Sequence, residues 1–134
     1  MLVAVGSALL AGPARAQESL RAQAQAILTA WTAHDVPKIL DGVGLVSLDL
    51  PGVRPAAPVN RDQAAALIRG YLAGTTEQQL TLVAVRATGE ERGFAEFSRE
   101  FRVTTGSASR SETILLGFRR GSPIWRLEEV RVVR

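Results

Sequence analysis

The chain has 134 residues, no cysteine, 46% apolar and 22% charged side chains, and a formal charge of +3 from 16 basic and 13 acidic groups. That length holds one core but not two, and the absent thiols exclude disulfides, thiolate catalysis and Cys-ligated zinc. The composition is globular rather than disordered, and acids interleaved among the bases exclude a nucleic-acid footprint.

The chain opens on an apolar run, Leu2 to Val5 and Ala8 to Ala11. It has the length of a signal-peptide core and is too short to span a bilayer. Pro13 is expected to break any helix, and Ala14-Arg15-Ala16 offers the small residues that a signal peptidase accepts before Gln17. No basic residue precedes the run, so an upstream start, a short membrane anchor and a disordered tail stay open as alternatives. Residues 1–16 are expected to be a signal peptide and residues 17–134 the domain, placing it in the periplasm or outside the cell, free of the membrane once cleaved. Cleavage would leave a charge of +2, 15 basic minus 13 acidic groups.

Leu20, Ala24, Ile27, Leu28 and Trp31 recur on one face of a 3.6-residue period and predict the first helix. Asp35 can cap a short second helix whose first turn tolerates Pro37, with Ile39, Leu40 and Val43 inward. Val46, Leu48 and Leu50 alternate with Ser47 and Asp49 as a short strand. Three prolines between Pro51 and Pro58 then make a loop or a ragged edge. Asn60 and Gln63 resemble a capping box ahead of a third helix with Ala64, Ala65, Ile68, Tyr71 and Leu72 on its buried face, stopped by Gly74. Four strands are predicted beyond it, over 79–88, 93–104, 112–119 and 124–133. The short Gly-containing breaks between them imply an antiparallel meander.

This order of elements resembles the nuclear transport factor 2-like superfamily, and specifically an uncharacterised bacterial branch of it. Three segments carry the likeness: Ala30-Trp31-Thr32-Ala33-His34-Asp35, Ala64 to Tyr71, and Trp125 to Val132. The resemblance implies an α+β fold of the cystatin-like kind. Three N-terminal helices would pack on a curved, mainly antiparallel sheet of four to six strands, forming a cone with a pocket. It speaks for architecture more than activity. Superfamily members that isomerise steroids place a base on an early strand opposite a tyrosine and an acid. Here Asp49 faces away from Val46, Leu48 and Leu50, and Tyr71, the sole tyrosine, lies on the third helix. That constellation does not carry over.

Among single residues, His34 is the only histidine and sits where the first helix ends, so a structural role is expected. Arg99 falls on the apolar face of its strand with Ala95, Phe97, Phe101 and Val103. A guanidinium there must find a carboxylate, and Glu129, on the face of Trp125, Leu127 and Arg131, is a candidate partner. A structural ion pair, or a bulge that turns Arg99 outward, is favoured over a pocket guanidinium that binds an anionic ligand. Glu96, Glu100, Arg102, Glu112, Arg119, Arg126 and Glu128 are expected on a charged outer face.

The residues assigned to a ligand pocket are Trp31, Tyr71, Arg99, Trp125 and Glu129, with no catalytic residue, metal or cofactor. Aromatic residues at helical or strand spacing are usually core, so packing is the expected role of Trp31 and Trp125, with flanking of the pocket as the other reading. The functional expectation is an exported, non-catalytic module that binds a small hydrophobic or anionic molecule or forms a homodimer through the sheet. The alternative is an enzyme of the isomerase, cyclase or dehydratase kind with a rearranged site.

Overall fold

A computed structural model describes the backbone of residues 2–121 and 125–134 and the side chains of residues 14–121 and 125–134. The side chains of the apolar N-terminal run, and Ser122, Pro123 and Ile124 of the last predicted turn and strand, lie outside the described residues. Helix α1 (Leu2–Thr32) is continuous through Pro13. The break expected at that residue does not occur: a proline withdraws one N–H from the ladder, and the helix continues on either side. Leu20, Ala24, Ile27 and Trp31 are buried as their spacing requires, joined by Ala16 and Ala30.

Helix α2 (Val36–Ile39) starts at Asp35, whose carboxylate accepts from the Lys38 amide at 3.3 Å. Helix α3 (Arg61–Leu72) starts with both halves of the capping box: the Asn60 side chain accepts from Gln63 N at 2.9 Å and Gln63 Oε1 from Asn60 N at 3.2 Å. It ends two residues before Gly74, where φ is +72°. An L-residue would be strained in that conformation.

The strands are β1 (Leu45–Asp49), β2 (Val59–Asn60), β3 (Thr75–Ala87), β4 (Arg92–Val103), β5 (Ser109–Arg120) and β6 (Trp125–Val133). They form one curved sheet in the order β2-β1-β6-β5-β4-β3, antiparallel except where β1 runs parallel to β6. Strands β3 and β5 begin several residues before the predicted starts, which brings Glu77 into the sheet. The helices cover the sheet's inner face. The interior holds Trp31, Phe97, Ile114, Leu116, Phe118, Trp125 and Leu127, all essentially removed from water.

At the free β3 edge the Gln17 side chain takes the place of a neighbouring strand. Its amide nitrogen donates to Val85 O at 2.7 Å and its oxygen accepts from Ala87 N at 2.9 Å. Unpaired edge groups of this kind otherwise template aggregation, so α1 is tied to the sheet and blunts its edge together.

Candidate functional site

Arg99 sits on the inner face of β4 between Phe97 and Phe101 and is 0% exposed. Its guanidinium meets a cross-strand ring of acceptors. Nε donates to both Glu77 oxygens at 2.9 and 2.8 Å, and Nη2 donates to Thr75 Oγ1 at 2.9 Å and again to Glu77. Nη1 donates to Tyr71 Oη at 2.7 Å and to Glu112 Oε1 at 3.0 Å. Each of the five N–H groups thus has an acceptor, the full capacity of a guanidinium. The Phe101 ring lies 3.9 Å and the Tyr71 ring 5.1 Å from the guanidinium carbon, so apolar and π surface cover what the acceptors leave.

The register explains why these groups meet. Leu80 and Glu112 flank Arg99 on β3 and β5, while Glu77 and Arg110 flank Phe101 one inner-face position further along. Glu112 shares its face with Ile114, Leu116 and Phe118. The expectation that it lies on the charged outer face is therefore overturned. The Tyr71 hydroxyl donates to Glu112 from α3, and Arg134 approaches the other Glu112 oxygen at 3.5 Å from the open end.

His34 enters the same cluster. It is the C′ residue of α1, at φ +53°, and the end of the helix has the paired Schellman bonds His34 N to Trp31 O and Asp35 N to Ala30 O. Glycine is the residue that position favours. An imidazole there is held by what it reaches: Nε2 lies 2.9 Å from Glu77 Oε1. With its side chain 31% exposed, His34 links the buried cluster to solvent.

The electrostatics follow from the geometry. Burial pulls the Arg99 guanidinium down, but the Glu77 hydrogen bonds and surrounding negative groups outweigh it and the net direction is up. Burial first, and then donation to Glu112, push the Tyr71 phenol well above its ordinary value, with Arg99 opposing in part. Tyr71 is the sole tyrosine, so phenolate absorbance reads it alone. Its folded pKa exceeds the unfolded value of about 10. The stability linked to it is therefore complete below pH ~10 and lost as pH rises towards the folded value. The expected record is no phenolate signal until alkaline unfolding, with both appearing together. A smooth titration near pH 10 in the folded protein would contradict the buried bond.

The five residues assigned to a pocket divide. Tyr71 and Arg99 are bonded to each other, and Trp31 meets Tyr71 edge-on at 6.1 Å between ring centres. Trp31 and Trp125 are packed inside the core, and the Trp31 indole N–H has no acceptor among the described residues. Glu129 is elsewhere, and its expected pairing with Arg99 is wrong. Strand β6 has an irregularity opposite Gly117 and Phe118, which pair with Glu129 and Leu127 and leave Glu128 as an extra residue. That bulge reverses the alternation, so Val130 and Val132 continue the inner face while Glu129 turns outward. Glu129 shares a cross-strand row with Phe94, five residues before Arg99, or roughly 17 Å away at the usual strand rise. Glu77 was missed because Thr75-Thr76-Glu77-Gln78 has no apolar alternation to mark it as strand.

Asp49 has the outward facing that alternation gives it. Its carboxylate takes Arg54 at 2.8 Å with Arg131 at 3.8 Å, and the Arg54 hydrogen bond lowers its pKa. Among the described residues no three His, Cys, Asp or Glu side chains converge to hold a metal, and no helix is long and apolar enough to cross a membrane.

No protein family and no curated protein matches the sequence. Solved structures do match in shape. A ketosteroid isomerase-like protein from Erwinia carotovora atroseptica is 20% identical with a TM-score of 0.69, covering 87% of this chain and 93% of that one. A domain of unknown function with a cystatin-like fold from Nostoc punctiforme is 14% identical with a TM-score of 0.68, covering 90% and 77%. A candidate dehydratase of the nuclear transport factor 2-like family from Streptomyces avermitilis is 17% identical with a TM-score of 0.68, covering 90% and 96%. At these identities the likeness is one of architecture. The chain has the nuclear transport factor 2-like fold, with the helix and strand order that its sequence resembles.

Proposed function

We propose that this chain is an exported, non-catalytic binding module. One observation carries the non-catalytic part of the reading: every donor of the buried polar cluster is already taken. All five Arg99 donors and the Tyr71 hydroxyl have acceptors within the cluster, and Glu77 and Glu112 both take Arg99, with His34 and Arg134 completing them on the solvent side. A catalytic constellation instead keeps a donor or base aimed at a vacant position about 3 Å away, where a reacting atom can sit. Native mass spectrometry of the chain, expressed with its N-terminal run in a bacterial host, tests the reading. The expected record is a chain beginning at Gln17 that carries a small molecule unchanged by incubation. A full-length, empty protein would speak against both export and binding.

The enzyme alternative has one observation of its own, the His34–Glu77 pair. An imidazole oriented by a carboxylate and partly open to solvent is the arrangement of a general base. Two neighbours are named ketosteroid isomerase-like and candidate dehydratase, and a base in this position suits proton abstraction beside a ketone. Turnover of a β,γ-unsaturated ketone that disappears in His34→Gln would replace the binding reading with this one.

A further inference from the structure

The bulge that removes Glu129 from the core places it in a second, outward setting. Phe94, Gly117, Glu129 and Ser47 are successive partners across β4, β5, β6 and β1, forming one row on the outer face of the sheet. Gly117 leaves a gap in that row. A Cβ added there would lie 3.1 Å from the Glu129 Cβ and 3.3 Å from its Oε1, so the glutamate side chain lies over the glycine. The result is a groove of about 520 Å³ walled by Leu45, Pro58, Phe94 and Glu129. Leu45 is 64% exposed on its rim, a large aliphatic group left in water.

The charges in the groove are unequally matched. Glu128 is engaged by Arg92 at 3.5 Å and by Arg119 at 3.2 Å. Glu129 has no ion pair and no hydrogen bond among the described residues, in a chain with 15 arginines. Of the charged side chains that line the groove, Arg92, Glu128 and Glu129, only Glu129 is left unmatched. Phe94 already takes the Arg86 guanidinium at 6.0 Å from its centre, so its ring suits a cation. We propose that this outer-face groove binds a small organic cation, an amine on an apolar or aromatic body, with the Glu129 carboxylate as counter-ion. The body lies between Phe94 and Leu45, against the Glu129 side chain that covers Gly117. The volume is that of small-molecule sites, and bulges recur where a side chain is re-aimed beside a functional site.

The proposal rests on the reading of the chain as a binding module and adds a place and a ligand class to it. The test is an amide-shift titration of the full chain with phenethylammonium, beside 2-phenylethanol as the neutral isostere and Glu129→Gln as the variant. Saturating shifts are expected at Phe94, Gly117 and Glu129. Binding should weaken about fivefold for the alcohol and for the variant, the value of one partly exposed ion pair. Equal affinity for amine and alcohol, unchanged affinity in Glu129→Gln, or no shift would overturn it. So would shifts at these residues that follow protein concentration without probe, since a second copy would then cover the groove. A molecule retained in native mass spectrometry that leaves these amides unmoved would sink this proposal and leave the binding reading standing.

Discussion

Arg99→Met is expected to cost about 3–5 kcal/mol of folding stability, the loss seen when one partner of a buried ion cluster is removed. Glu77 and Glu112, both nearly sealed from water, would lose their common cation. Tyr71 and Thr75 would lose the donor they accept from. The attraction in the intact cluster is not the source of the cost; its origin is the stranded charge, because a carboxylate in low dielectric has no water to replace its partner. Urea unfolding followed by fluorescence of the two tryptophans measures the change. Arg99→Lys keeps the charge but replaces a planar five-donor fork with three donors on one nitrogen, so it should recover only part of the loss. The triple variant Arg99→Met, Glu77→Leu and Glu112→Met should be more stable than Arg99→Met alone, since no buried charge is left. An Arg99→Met protein within 1 kcal/mol of the parent would mean that the cluster is hydrated and open, and would remove the main support for a non-catalytic interior.

The same cluster shows what could be read in advance. Arg99 was legible because it interrupts a strict apolar alternation, and its burial follows from parity alone. Glu112 carries the same signal, two residues before Ile114 in the run Glu112, Ile114, Leu116, Phe118, yet its charge suggests the outer face. Glu129 carries the opposite lesson. Trp125 and Leu127 are odd-numbered and Val130 and Val132 even-numbered, and this switch of apolar parity within one strand is itself the mark of a bulge. Glu77 had no local signal, because Gly74 closes a helix and five polar residues follow it. Only pairing with β4 makes that segment a strand, and such long-range pairing overrides local propensity. The helices were legible because caps and a 3.6-residue period are local quantities. The partners of Arg99 were not, because they depend on register across three strands.

Gly93 on β4 is approached so closely that an added Cβ would lie 2.5 Å from Leu20 Cδ2 and 3.3 Å from Arg86 O. Leu20 is fully buried, so its methyl group has little space to yield. Gly93→Ala should therefore cost about 1–3 kcal/mol as overpacking, and Leu20→Ala about 2–5 kcal/mol as a cavity. In the double variant the new methyl group occupies part of the space that the leucine vacates. Its cost should fall at least 1 kcal/mol short of the sum, a coupling typical of residues in direct contact. Additivity within experimental error would mean that α1 shifts as a body to admit the methyl group. Gln17 provides the independent check, because its two bonds to Val85 and Ala87 fix the helix three residues from Leu20. A shift of the whole helix should speed hydrogen exchange at the Ala87 amide, whereas local overpacking should leave it protected. The helix that covers the sheet is thus held at its polar anchor and at its apolar contact by one short segment, Gln17 to Leu20.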